Sequence, residues 1–237
     1  MSSFSSFKLI TEQDDFILID KFAGVNCHDE GCLGAGLFNQ AKQQLALKEL
    51  YPVHRLDKMT SGLVILAKNL TAAQQFQELF SQHKIEKYYL ALSDKKPKKK
   101  QGLIKGDMVK SRRGTWKLLR HCENPALTQF FSYGLGSKLR LFILKPHSGK
   151  THQLRVALNS LGTPILGDNR YGGSSAERGY LHALAIKFTL NQQDFQYISL
   201  PNQGELFLQA ATQDKLHEII PPWQLNWPNT ILHKKRP

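Results

Sequence analysis

Five short apolar or alternating runs constrain the fold more than any other feature of the sequence: FILID (Phe16–Asp20), LVILAK (Leu63–Lys68), KYYLAL (Lys87–Leu92), LRLFILK (Leu139–Lys145) and LHALAIKFTL (Leu181–Leu190). Each is short and bounded by turn residues, the pattern of strands. Two amphipathic helices are expected among them. Thr71 and Gln74 make a capping box before Ala73, Phe76, Leu79 and Phe80, which share one face, so a helix is predicted over about 71–83. Thr151 opens a second helix, with Leu154, Leu158 and Leu161 on one face and Gly162 as its stop. Strands outnumber helices and follow one another without βαβα alternation. The expected fold is therefore α+β, a largely antiparallel mixed sheet flanked by helices.

A chain of 237 residues is long enough for one main domain with a substantial core. Residues 16–220 are assigned to it, with 1–15 as an N-terminal extension and 221–237 as an irregular tail. The polar stretch around 94–120 lacks periodicity and is read as a basic insertion leaving the sheet. No segment approaches the roughly 18 uninterrupted apolar residues of a membrane span. The start, MSSFSSFKLITEQDDF, has neither the basic nor the apolar region of a secretory signal, so a cytoplasmic location is expected. Cys27, Cys32 and Cys122 form no even disulfide framework. Cys27, His28 and Cys32 lie close together without the second ligand pair that structural zinc needs, so no metal is expected.

Charge supplies the first functional hint. Thirty-two Lys and Arg against 19 Asp and Glu leave +13, a surplus suited to a polyanion, with RNA or DNA the leading partner. The surplus concentrates in KKPKKK (Lys95–Lys100), in Lys105–Arg120 and in the tail HKKRP (His233–Pro237). Lysine runs are often only solvated loops, but Arg112, Arg113 and Trp116 combine phosphate-binding cations with a ring able to stack on a base.

Two nucleotide motifs fail. SGKT (Ser148–Thr151) lacks the upstream P-loop glycine, its place being taken by Leu144. GLGS (Gly134–Ser137) has Leu139 where a dinucleotide fingerprint needs its third glycine. What remains is chemistry without a nucleotide cofactor. Asp57, in HRLDKMTSG (His54–Gly62), follows an apolar stretch in a turn of the kind that displays reactive groups, and a carboxylate there can act as nucleophile or base. Arg155 and Arg55 are both candidates for the cation that keeps it ionised and aimed. Taken singly, Asp57 reads as a turn residue, Tyr89 as a half-buried strand tyrosine and His152 as a capping or core histidine.

The ordered set decides. HRLDKMTSGLVILAK (His54–Lys68), KYYLA (Lys87–Ala91), GKTHQLRV (Gly149–Val156), LGTPILGDNRYG (Leu161–Gly172) and LHA (Leu181–Ala183) together resemble the RluA-type pseudouridine synthases from about Phe16 to Leu208. The resemblance implies that the 16–220 domain is catalytic and acts on structured RNA, ribosomal or transfer. It further implies that Asp57 is the catalytic aspartate, that Arg155 is its ion-pair partner, and that Tyr89 packs on the flipped base and serves proton removal at C5. Arg55 would fill the place the target uridine leaves in the RNA stack. His54, Lys87 and His152 are expected to meet RNA beside it, with Arg112 and Arg113 as outer contacts. Such an isomerisation has no task for a metal, nucleotide or redox cofactor, and a monomer is the default state.

Asp57 could attack C1′, add to C6 of the base or remove the 2′ proton, and the sequence leaves all three open. One departure stands out: KFAG (Lys21–Gly24) replaces the usual K-P-x-G, so the turn loses its proline restraint. A competing reading, a non-catalytic RNA-binding or ribosome-assembly factor on the same fold, is opposed by the joint presence of Asp57, Tyr89 and Arg155.

Overall fold

The computed structural model describes residues 6–31 and 33–228. The first half contains β1 (Phe7–Glu12), β2 (Phe16–Lys21), α1 (Leu37–Gln44), β3 (Tyr51–Pro52), β4 (Ser61–Ala67), α2 (Leu70–Ser81), β5 (Glu86–Ser93), β6 (Gln101–Gly106), β7 (Met108–Lys110) and β8 (Trp116–Leu118). The second contains β9 (Ala126–Gly134), β10 (Arg140–Pro146), α3 (Gln153–Ser160), β11 (Leu181–Leu190), β12 (Gln193–Ile198), α4 (Glu205–Leu208) and α5 (Ala210–Ile219).

One sheet runs β1-β2-β4-β11-β5-β10-β9-β6, with β12 also on β11 and β3 on β4, while β7 and β8 form a separate hairpin. Every pairing is antiparallel except β4 with β11. There Ser61 and Gly62 meet His182 and Ala183 in parallel, and β12 takes over as β11's partner from Ala185. The largely antiparallel mixed sheet is thus as expected. Gly62 is required at the parallel join: its φ is +108°, and a Cβ would lie 2.3 Å from the carbonyl oxygen of Ala183.

Alternation of side chains builds two cores around β2 and β4. Phe16, Leu18, Leu63 and Ile65 face Ala72 and Phe76 of α2, while Ile17, Ile19, Val64 and Leu66 face Leu37 and Ala41 of α1. Coverage of both faces explains why these strands read as continuous apolar runs. A third core joins β5, β9 and β10 to Leu154, Ala157 and Leu158 of α3 and Leu216 and Ile219 of α5.

All five predicted strands form, but several boundaries differ. The N-terminal extension contributes β1, paired along β2. The basic insertion is only partly an excursion, since β6 pairs with β9 in the main sheet and β7–β8 projects as a hairpin. Only Phe7, Ile104 and Gly106 of these strands are buried and the rest are exposed or half-buried, which hides their periodicity. The tail is less irregular than its sequence suggests: Pro222–Gln224 forms a 3-10 turn, and Trp223 and Trp227 pack on Tyr88 at 6.3 and 5.8 Å between ring centroids. The basic HKKRP end lies outside the described residues, as does Cys32.

Both helix starts shift. The first helix is capped by Asn69, whose side chain accepts from the Ala72 N–H at 2.8 Å, so the Thr71 capping box does not form and the helix starts at Leu70. The second begins at Gln153 and not at Thr151, because His152 holds a left-handed conformation (φ 56°, ψ 20°) at the capping position without a side-chain cap. Gln153 braces the preceding loop instead, accepting from Ser148 Oγ and the Lys150 N–H and donating to Leu127 O and Thr128 Oγ1.

Candidate active site

Asp57 sits in the turn leading into β4, and the backbone of that turn is gripped from below. Buried Leu56 anchors it in the α1-side core. Cys27 Sγ donates to Leu56 O at 3.3 Å, and the N–H of Gly24 donates to Lys58 O at 2.8 Å. Lys21, fully buried, donates its ammonium to Phe22 O, Val25 O and Lys58 O at 2.9, 2.8 and 3.2 Å. Burial pushes the pKa of Lys21 down to about 8. The restraint missing from KFAG is therefore replaced by a lysine tying two loops through their carbonyls, a role its place at the end of an apolar strand could have signalled.

Above this turn stands Arg155, in the first turn of α3. Its Nη1 donates to Asp57 Oδ2 at 3.2 Å, while Nε and Nη2 donate to the two oxygens of Asp168 at 2.7 and 2.8 Å. Of the two sequence candidates for the cation beside Asp57, Arg155 is the one in contact. Asp168, at 2% exposure, is the anchor sequence reasoning missed. Its carboxylate turns a single ion pair into a triad, and the fork geometry fixes where the third nitrogen points. Burial opposes the Arg155 charge, but hydrogen bonding and attraction from Asp168, then Asp57, outweigh it and raise the pKa. The guanidinium also lies 4.9 Å above the ring of Tyr171, another residue not singled out from sequence.

Asp57, Arg55, Tyr89, His54, Lys87, His152 and Arg155 all line one cavity of about 490 Å³. That volume suits a nucleoside-sized guest. Asp57, Arg55, His152 and Arg155 also line a second cavity of about 640 Å³, where Lys58, Arg170 and Arg178 add positive charge. Arg55 is exposed where both cavities meet, and among the described residues its side chain makes no hydrogen bond or ion pair.

The other predicted residues have distinct surroundings. Burial, then the Asp57 charge, pushes the Tyr89 hydroxyl well above its ordinary pKa, so the neutral phenol is favoured over phenolate. His54 Nε2 accepts from the Ile65 N–H at 2.9 Å and its ring packs on Phe80; burial, then Lys87, drives its pKa down to about 3. It is a neutral wall of the cleft. Lys87 lies 5.5 Å over the same Phe80 ring, with burial lowering its pKa. His152 Nδ1 is 2.9 Å from Tyr171 Oη, and burial holds its pKa below the usual range. Arg112 and Arg113 do not join this cavity; they are exposed in the turn of the β7–β8 hairpin.

Among the described residues one trio could offer three metal ligands, Asp107, His121 and Glu123. Asp107 is already engaged by His121 Nδ1 and the N–H groups of Glu123 and Asn124, which makes it a brace at the hairpin base. No helix among the described residues is long and apolar enough to cross a membrane.

A carboxylate aimed by a buried arginine into a nucleoside-sized cleft, flanked by cations and an exposed arginine, is equipped for chemistry on a nucleotide drawn out of a nucleic-acid stack. Comparison with known proteins gives that class its family. Residues 15–160 match the family described as RNA pseudouridylate synthase, and the chain belongs to this family, within its RluA-type members. A protein of Haemophilus influenzae described as an uncharacterized RNA pseudouridine synthase is 47% identical over 215 residues, covering 90% of this chain and 96% of that one. Ribosomal large subunit pseudouridine synthase C of Rickettsia bellii is 34% identical over 184 residues, covering 74% of this chain but 61% of the relative. Human RNA Pseudouridylate Synthase Domain Containing 1 shares the fold with a TM-score of 0.74 at 24% identity, over 97% of this chain and 100% of that one.

Proposed function

We propose that this RNA pseudouridine synthase isomerises a uridine in a structured RNA through Asp57, and that the Asp57–Arg155–Asp168 triad at the cleft floor is the observation that carries the assignment. The target nucleotide leaves its helix, at a stacking cost of a few kcal/mol. Its uracil enters the cavity beside Tyr89, and Arg55, free at the cavity mouth, stacks into the vacancy and offsets part of that cost. Desolvation opposes an ionised carboxylate beside the ribose, and Arg155, held by Asp168, favours it. Asp57 then supports cleavage of the N1–C1′ bond by one of the three routes named above. The detached base rotates and rejoins through C5. The environment of Tyr89 supports a neutral phenol that orients water for removal of the C5 proton, and not a phenolate acting directly.

His152, Lys87 and the cations of the second cavity hold neighbouring phosphates, with His54 as structural wall. Arg112 and Arg113 make an outer contact. The protein acts in the cytoplasm as a monomer without metal or cofactor, and the Rickettsia relative makes large-subunit ribosomal RNA the first substrate to try. The test is tritium release from uridine-C5-labelled RNA of cells lacking this protein, comparing wild type with Asp57→Asn. Release by wild type alone is expected. Equal release by both removes Asp57 from the mechanism, and none from either, with RNA bound, favours the non-catalytic reading.

A further inference from the structure

Tyr171 lies where three parts of the molecule meet. Its hydroxyl accepts the Trp116 N–H of the β7–β8 hairpin at 3.0 Å and lies 2.9 Å from His152 Nδ1, while its ring lies under the Arg155 guanidinium. Among the described residues, the Trp116–Tyr171 bond is the one hydrogen bond joining the distal half of the hairpin, residues 110–116, to the body of the protein. The others there close within the hairpin, Ser111 N–H to Thr115 O and Thr115 N–H and Oγ1 to Arg112 O.

From this arrangement we infer that Tyr171 is a positioning residue through which RNA contact at the hairpin sets His152 for reaction, beside an Arg155 that Asp168 already holds. The inference rests on the pseudouridine synthase reading, with Arg112 and Arg113 as the outer RNA contact. The body side of the link is rigid. Tyr171 is 5% exposed. It follows Asp168 in a 3-10 turn, donating its N–H to Asp168 O, and Asp168 is the residue that anchors Arg155. At Gly173 a Cβ would lie 1.9 Å from Ile165 O, so the loop is packed against its neighbour and cannot drift. The hairpin tip is the exposed side, with Arg112 in solvent and a left-handed turn at Arg113 and Gly114.

The hydroxyl chemistry fits a relay. An oxygen that accepts from Trp116 has one hydrogen to give, and His152 Nδ1 is in line to receive it. The hydrogen of the neutral imidazole then resides on Nε2, as a donor for substrate in the cavities His152 lines. His152 keeps a left-handed backbone away from glycine, a conformation that persists where surrounding contacts enforce it.

The test uses Tyr171→Phe, which keeps the ring under Arg155 and removes both hydroxyl bonds, in wild-type and Arg112→Gln/Arg113→Gln backgrounds. With labelled structured RNA, Tyr171→Phe should lower kcat about tenfold with KM within about twofold. The hairpin pair should lower kcat in the wild-type background and raise only KM in the Tyr171→Phe background. Hydrogen exchange supplies a readout independent of activity: RNA should slow exchange over residues 149–156 in wild type and not in Tyr171→Phe. An unchanged kcat, equal hairpin effects on kcat in both backgrounds, or equal protection by RNA overturns the coupling. Absence of turnover from wild type, with Asp57→Asn as control, overturns the enzymatic reading itself.

Discussion

Arg155 commits all three guanidinium nitrogens to two carboxylates within 3.2 Å, whereas the side chains of Arg112 and Arg113 make no hydrogen bond or ion pair among the described residues. The first arginine is buried and held in one orientation; the other two are exposed on a turn joined to the body through Trp116. The contrast separates two uses of positive charge that the proposed function assigns to these arginines. A buried, forked arginine fixes the direction of a reacting group and contributes through geometry. Exposed cations attract phosphate at a distance, tolerate displacement and weaken with salt.

The largest effect that would break or confirm this division is at Asp57. Asp57→Asn should lower turnover by roughly 10⁴-fold while leaving RNA affinity within about twofold, measured by single-turnover release and filter binding. Next is the anchor: Asp168→Asn should lower kcat about a hundredfold and reduce unfolding free energy by about 3 kcal/mol in urea titrations, because Arg155 then keeps a buried charge with half its support. If stability falls while kcat holds, the anchor serves the fold alone. The hairpin should differ from the anchor in affinity and in stability. Arg112→Gln/Arg113→Gln should weaken RNA binding about tenfold and reduce the log–log salt slope by about 1.5, with stability altered by less than about 0.5 kcal/mol. An unaltered slope places the electrostatic footprint elsewhere.

Two smaller pH effects sharpen the buried half of the comparison. Burial lowers the pKa of His54 to about 3 and of His182 to about 4. The unfolded chain therefore takes up protons that the folded chain refuses, and stability is lost as pH falls below about 6.5, with each histidine adding up to about 1.4 kcal/mol per pH unit. His182→Gln should flatten that loss in denaturation series from pH 7 to 5. Lys21 acts in the alkaline range: with a folded pKa of about 8 against 10.5, the unfolded state holds more protons between those values, so stability should rise with pH there. Lys21→Met should abolish that rise and lower kcat through the loosened Asp57 turn.

The sheet was legible where strands are covered on both faces, as in β2 and β4, and illegible at the edges, where solvent relaxes the pattern. In the site, the pairing of Asp57 with Arg155 was legible because their motifs stand in order. Asp168 and Tyr171 lie in LGDNRYG, a quoted motif, yet spacing along the chain does not reveal which cation a loop carboxylate will face. The role of Lys21 is hidden for a related reason: KFAG reads as a turn short of its proline, and the three carbonyls Lys21 holds come from two separate loops.

The Asp57–Arg155 pair and the parallel join of β4 to β11 both tie the early part of the chain to parts made much later. Asp57 meets Arg155 across 98 residues, and Ser61 at the start of β4 meets His182 across 121. During synthesis the aspartate emerges early, but its arginine, that arginine's anchor and the strand beside Gly62 all follow much later. A nascent chain thus carries Asp57 for about a hundred residues before the arginine that aims it has been made.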